Sequence, residues 1–230
     1  MLTKQKLVTF SLLSLLGALL LLSVWWEDYY LYLSLGVALT AILLLVTRFE
    51  RRQIEARELV LLAVLAAIAA VSRVPFASIP SVQPTTFVIM MSGLVFGAGS
   101  GFIIGAVAAL ASNMILGQGP WTPWQMVAWG LVGFSAGLLR KRKIMQVTWG
   151  RILFGIAWGF LFGAIMNLWG LLAFTQSGSE LDTNILLSYF AGSALFDIMH
   201  SVSNVIFLLV FGGVWIKILT RFKRKYGLLE

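Results

Sequence analysis

Apolar runs of membrane-spanning length, joined by connectors whose charges are almost all positive, constrain this chain more than any single motif. A hydrocarbon core of about 30 Å takes roughly 20 residues of helix, fewer where the ends are covered by protein. On that ruler the sequence divides into eight candidate spans, at about 7–25, 29–47, 58–73, 85–98, 101–117, 124–139, 150–174 and 186–217. With 60% hydrophobic and 11% charged residues, the composition is far from that of a soluble domain. The expected fold class is an all-α integral membrane protein. Lys4 and Lys6 precede the first run as in a signal peptide, but WWEDYY offers no small-residue cleavage site and another span follows, so the run reads as a retained helix. The last run is too long for one straight perpendicular helix, and its AGS at 191–193 is where a bend or an interfacial lead-in is expected. The short runs at 85–98 and 101–117 are joined by GAGSG, which predicts a tight helical hairpin turned by glycine.

Lysine and arginine accumulate on the cytoplasmic side of short loops. In the eight-span arrangement, sixteen of the seventeen basic residues fall on one side: Lys4 and Lys6, RFERRQIEAR, RKRK at 140–143, Arg151 and KILTRFKRK. The exception is Arg73, on a face that otherwise holds Glu27, Asp28, Glu180 and Asp182. Both termini are therefore expected in the cytoplasm, and the net charge of +8 reads as topology. A nucleic-acid-binding stripe of basic and stacking residues in a soluble domain is not present. The absence of cysteine rules out disulfides and thiolate metal sites, and a single histidine leaves no expected metal site.

All five prolines fall in two connectors on the outward face, RVPFASIPSVQPTT at 73–86 and GQGPWTPWQ at 117–125. Proline removes a donor and fixes a torsion, so Pro75, Pro80, Pro84, Pro120 and Pro123 stiffen these loops, which could form a lid over the bundle. Arg73, Gln83, Thr85, Thr86 and Gln118 supply hydrogen bonds there, and Phe76, Phe87, Trp121 and Trp124 supply flat apolar area, as a binding surface requires. The same aromatics also suit an interfacial belt, with the prolines as turn punctuation.

Ala63 with Ala67, and Ala66 with Ala70, are each four apart in LLAVLAAIAAV, a spacing that lets another helix backbone approach closely. Gly93 with Gly97, Gly101 with Gly105, Gly133 with Gly137, and Gly155, Gly159 and Gly163 repeat the pattern. The alanine face serves either the chain's own bundle or a separate subunit. FDIMHSVSN at 196–204 places Asp197, His200 and Asn204 on one face of the last span. Ionisable groups at that depth are costly and mark a cavity or a paired partner. Three readings fit: a proton relay, contacts to a bound ligand, or Asp197 and His200 satisfying each other and Asn113 inside the bundle. No GxxxxGK[ST] loop, HExxH motif or cysteine nucleophile is present, so neither ATP hydrolysis nor another enzymatic activity is expected. Pairing Ser100 with His200 as a serine protease is disfavoured, since the first is in a cytoplasmic turn and the second is mid-membrane.

The alanine-rich helix, the proline-containing loop PFASIPSVQPTT, the glycine-linked hairpin and the basic connections together resemble the substrate-binding S components of prokaryotic energy-coupling factor (ECF) vitamin transporters. The resemblance covers about residues 55–225. It implies a six-helix, S-component-like membrane core at 51–230 with a basic C-terminal tail, preceded by an N-terminal transmembrane hairpin at 1–50 that the six-helix minimum lacks. It further implies a high-affinity substrate-binding subunit of an ABC-type importer in a prokaryotic cell membrane. Such a subunit docks on a transmembrane scaffold and two ATPase subunits, which consume the ATP, while this chain binds no cofactor by its own motifs. On this reading Ala63, Ala66, Ala67 and Ala70 contact the scaffold. Arg73, Phe76, Gln83, Thr85, Thr86, Asn113, Gln118, Trp121, Trp124, Asp197 and His200 hold the cargo. VQPTT with FDxxHxxxN is most similar to the cobalamin and corrinoid branch. The alternative is an ion-coupled secondary transporter using Asp197 and His200.

Overall fold

The computed structural model describes residues 2–49, 56–176 and 182–227, and every regular element among them is helical. The helices are α1 (Leu2–Trp25), α2 (Tyr30–Phe49), α3 (Ala56–Val71), α4 (Pro84–Phe96), α5 (Ala98–Leu116), α6 (Thr122–Leu139), the single turn α7 (Lys143–Gln146), α8 (Thr148–Gln176) and α9 (Thr183–Tyr226). Each of the eight apolar runs thus forms a helix. Arg51, Arg52 and Glu180, which enter the charge argument, lie outside the described residues, as does the expected boundary between 1–50 and 51–230.

Among the described residues, four helical segments are long and apolar enough to cross a bilayer alone: Ala56–Phe76, Ala98–Leu116, Thr148–Thr175 and Thr183–Tyr226. α4 is not one of them. Its 13 residues rise only about 20 Å at ~1.5 Å each, short of the hydrocarbon thickness. It survives by being covered with protein instead: every residue except Leu94 and Val95 is buried, against α3, α5, α6 and α9. A helix apolar all round belongs at the centre of a bundle, and α4 occupies that place.

The hairpin between α4 and α5 is tighter than GAGSG suggests. Gly97 alone breaks the helix, at φ 99°, a conformation that a side chain disfavours; Ala98, Gly99, Ser100 and Gly101 already belong to α5. Gly93, Gly101 and Gly105 serve packing. A Cβ on Gly93 or Gly101 would collide with the Gly133 carbonyl, and one on Gly105 with the Trp129 carbonyl. Backbone therefore meets backbone where α4 and α5 cross α6. The ladder on α8 works differently, since Gly155, Gly159 and Gly163 lie against Leu208, Ser201 and Asp197 of α9. Glycine there makes room for polar groups: Ser201 Oγ donates to the Ile156 carbonyl at 3.0 Å and Asn204 Nδ2 to the Gly155 carbonyl at 2.9 Å.

α9 runs unbroken through 191–193, so the expected interruption is not a helix end. In lipid, an opened turn would leave backbone groups unsatisfied, which outweighs the roughly 1 kcal/mol that Gly192 costs relative to alanine. Its ends are capped: the Asp182 carboxylate accepts from Ile185 N–H at 2.6 Å, and Gly227 closes the other end at φ 59° with Lys223, Arg224 and Lys225 in the last turn. α1 and α2, joined by a 3₁₀ turn at Glu27–Tyr29, pack onto α5, α6 and α8. Leu16 and Val37 enter the same core cluster as α4.

Candidate binding site beneath the proline loops

Residues 72–83 are not an open loop. Successive backbone bonds, Arg73 N to Ala70 O, Phe76 N to Arg73 O, Ile79 N to Phe76 O and Val82 N to Ile79 O, wind them into linked turns. Pro75 enters the 3₁₀ turn, and Pro84 and Pro123 stand in the opening positions of α4 and α6. Proline is tolerated at these positions because the N–H it lacks has no intrahelical acceptor there. Three of the five prolines therefore start helices as well as stiffen connectors.

Beneath these turns Arg73 is 9% exposed. Its Nε donates to Gln83 Oε1 at 3.2 Å, and Nη1 donates to Ser112 Oγ at 2.5 Å and Asn113 Oδ1 at 2.9 Å. The guanidinium lies over the Trp129 ring at 4.6 Å, a contact worth about 2 kcal/mol when desolvated. Asn113 Nδ2 in turn donates to Thr122 Oγ1 at 3.0 Å and Gln125 Oε1 at 2.7 Å. Thr122 Oγ1 donates to Gln118 Oε1 at 2.9 Å, and Gln118 Nε2 donates to the Leu110 carbonyl. A polar seam thus runs from the first proline loop to the second across the ends of α3, α5 and α6.

Trp129 links that seam to α9. Its Nε1 donates to Thr86 Oγ1 at 2.9 Å, and the same oxygen is 2.7 Å from His200 Nε2. Indole N–H can only donate, so Thr86 accepts from Trp129, and its hydroxyl proton is available to His200 Nε2 when that nitrogen is unprotonated. Phe162 packs between, with ring centroids 4.8 Å from Trp129 and 5.1 Å from His200. Gln83 closes the arrangement through its backbone N–H, which donates to Ser203 Oγ at 3.1 Å.

A profile for the S component of the ECF-type riboflavin transporter matches residues 53–221, from the residues just before α3 to near the end of α9. The chain belongs to this family. No solved structure matches it. As an ECF S component it is a multi-pass membrane protein of a transporter family; α1 and α2 lie outside the matched segment.

Of the positions that the sequence singles out, this S component brings Arg73, Gln83, Thr86, Asn113, Gln118 and His200 into one connected network. Thr85 is buried beside them, its hydroxyl without a protein partner. Phe76 stands edge-on to Phe207, and Trp121 to Trp169. Trp124 turns away: it is buried and its Nε1 donates to Ser23 Oγ of α1 at 3.1 Å. Asp197 also stands apart. It does not pair with His200, which bonds Thr86 instead; its carboxylate lies over Gly163 and accepts a long 3.5 Å bond from Ser193, whose hydroxyl accepts from Asn167. Asn113 serves Arg73 and α6, not the α9 pair. The alanine stripe divides, with Ala66 and Ala70 buried in the chain's own bundle and Ala63 and Ala67 exposed.

Ser112, Trp129, Thr122, Gln125 and Ser203 complete the network without having been singled out. Ser112 adjoins Asn113, Thr122 and Gln125 fall within GQGPWTPWQ, and Ser203 falls within FDIMHSVSN, so their polarity in apolar surroundings was a usable signal. Trp129 had none, because one more aromatic in an apolar helix reads as core.

Proposed function

We propose that this S component is the membrane-embedded substrate-binding subunit of an ECF importer, capturing a vitamin-like molecule at the proline-bearing end of its bundle. The observation that carries the reading is Arg73. A buried guanidinium is expensive unless paired, yet its side-chain hydrogen-bond partners, Gln83, Ser112 and Asn113, are all neutral, and none of those bonds uses Nη2. A cargo presenting a carbonyl, imide or anionic edge would complete the charge, while the rings of Trp121 and Phe76 would bear on its flat faces. Thr85, with its unpartnered hydroxyl, stands in the first turn of α4.

The family description names riboflavin, an acceptor-rich heterocycle of this kind, and makes it the first ligand to test. The corrinoid suggested by VQPTT and FDxxHxxxN is the second. Cargo then passes to a transmembrane scaffold driven by two ATPase subunits. The exposed Ala63 and Ala67 on α3 offer that scaffold a close-approach face, and the α1–α2 pair shields α5 and α6 from lipid. The proline end faces outward and both termini are cytoplasmic on this reading.

The test is mass spectrometry of ligand retained through purification, followed by calorimetric titration of the emptied protein in detergent with riboflavin and with cobalamin. Arg73→Gln removes a charge-assisted hydrogen bond and lowers affinity for the true cargo roughly ten- to hundredfold. An Arg73→Gln protein that melts like the parent and binds equally well would remove Arg73 from the site.

A further inference from the structure

We propose that the opposite, basic end of the bundle holds a second binding site, a cavity for the phosphate headgroup of an anionic membrane lipid. The cavity, of about 360 Å³, lies between the ends of α4, α6 and α9 beside α7. Among the described residues, three cations line it, Arg140, Lys223 and Arg224, and no acidic residue does. Retention of positive charge at one end of a membrane protein needs only that the charges be there. It does not require them to converge on a concavity.

Each cation is placed by a different element. Lys223 Nζ donates to the Val95 carbonyl at 3.2 Å, closing the end of α4. Arg140 follows the last residue of α6 and rests against the α4–α5 turn, where a Cβ on Gly97 would come within 3.0 Å of its Nη1. Arg224 belongs to a stripe on α9, Ile216, Thr220, Lys223 and Arg224, that recurs at helical spacing along one wall. With Lys223 engaged by Val95, the two guanidiniums are the groups suited to a phosphate, which arginine grips in bidentate fashion.

The apolar part of the lining selects a lipid over a free anion. Leu94, Val95 and Ile216 face the same cavity, and Leu94 and Val95 are the two residues of α4 that its neighbours leave incompletely covered. Headgroup on the arginines and the start of an acyl chain along these three would match both halves of the lining. Basic pockets between transmembrane helices recognise anionic headgroups by this combination.

The test uses the full chain in nanodiscs of mixed phosphatidylglycerol and phosphatidylcholine, with retained lipid counted by native mass spectrometry. The parent should retain phosphatidylglycerol preferentially. Arg140→Gln with Arg224→Gln should lower that preference at least about tenfold, two cations near the headgroup being worth about 1 kcal/mol each. Lys141→Gln with Arg142→Gln removes the same charge at exposed positions outside the cavity and should leave the preference intact. Equal loss in both pairs, or loss in neither, overturns the site. Displacement of the retained lipid by excess inorganic phosphate would assign the cavity to a free anion and overturn the lipid reading. Arg140→Lys with Arg224→Lys keeps the charge without the bidentate fork and should fall between the parent and the glutamine pair; a preference equal to the parent's would overturn guanidinium recognition of the headgroup.

Discussion

Trp124 and Ser23, a hundred residues apart in sequence, are joined by a 3.1 Å hydrogen bond from the indole N–H to the serine hydroxyl. The bond ties α6 to α1 and turns a tryptophan of the second proline loop into a packing residue. Trp124→Phe and Ser23→Ala should each lower stability by about 1 kcal/mol, and the double variant should lose little more than either alone. Cargo affinity should be unchanged in all three. Thermal melting and calorimetry in detergent check both points, and additive losses would show that the two residues act independently.

The relay Trp129–Thr86–His200 leads to a prediction about the His200 tautomer. With Thr86 accepting from the indole and donating to Nε2, His200 should carry its proton on Nδ1. It is the chain's single histidine, so ¹⁵N-histidine labelling gives one residue to read by nuclear magnetic resonance. Thr86→Val leaves the indole N–H and Nε2 without their present partner, at a cost of about 1–3 kcal/mol for each group that finds no other. An Nε2-protonated ring in the parent would reverse the direction of the relay.

Two adjacent alanines on α3, one exposed and one buried, should separate docking from folding. Ala67→Trp places bulk on an exposed face; the isolated protein should bind cargo normally while uptake with the ECF module falls. Ala66→Trp forces the same bulk into a site 2% exposed and should destabilise the protein by about 1–3 kcal/mol or more. Intact uptake with Ala67→Trp would move the docking surface elsewhere.

Orientation is checked with single cysteines in a chain that has none of its own. Cysteine at Ser81, in the first proline loop, should react with an impermeant thiol reagent applied outside intact cells. Cysteine at Gln146, in the basic turn after α6, should react only after permeabilisation. The opposite pattern would invert the bundle.

Much of this was legible in the sequence for a definite reason. Length and apolarity dictate helices in lipid, so each of the eight runs became a helix. Arginine, glutamine and asparagine among apolar residues had to find one another, as Arg73, Gln83 and Asn113 do. What sequence spacing could not supply was the rotation of one helix against the next. Asp197 and His200 share a face at i and i+3, yet α9 is turned so that His200 meets Thr86 of α4 while Asp197 lies on Gly163 of α8. Ala66 and Ala67 are neighbours in the same stripe, and the placement of α4 and α5 buries one and exposes the other. Trp124 sits among binding-loop residues, and only the docking of α1 decides where its indole points.

The unbroken course of α9 carries a mechanical consequence. His200, near the proline loops, and Lys223, at the basic end, are set on one unbroken helix, about 35 Å apart at ~1.5 Å per residue, with no proline between them but with the Gly212–Gly213 pair partway along. If it stays stiff through that pair, such a helix would transmit tilt, its two ends swinging in opposite directions about its packing on α8. A shift of Thr86 against His200 would register at the Lys223–Val95 contact, and a brake applied at the basic end would be felt beneath the proline loops.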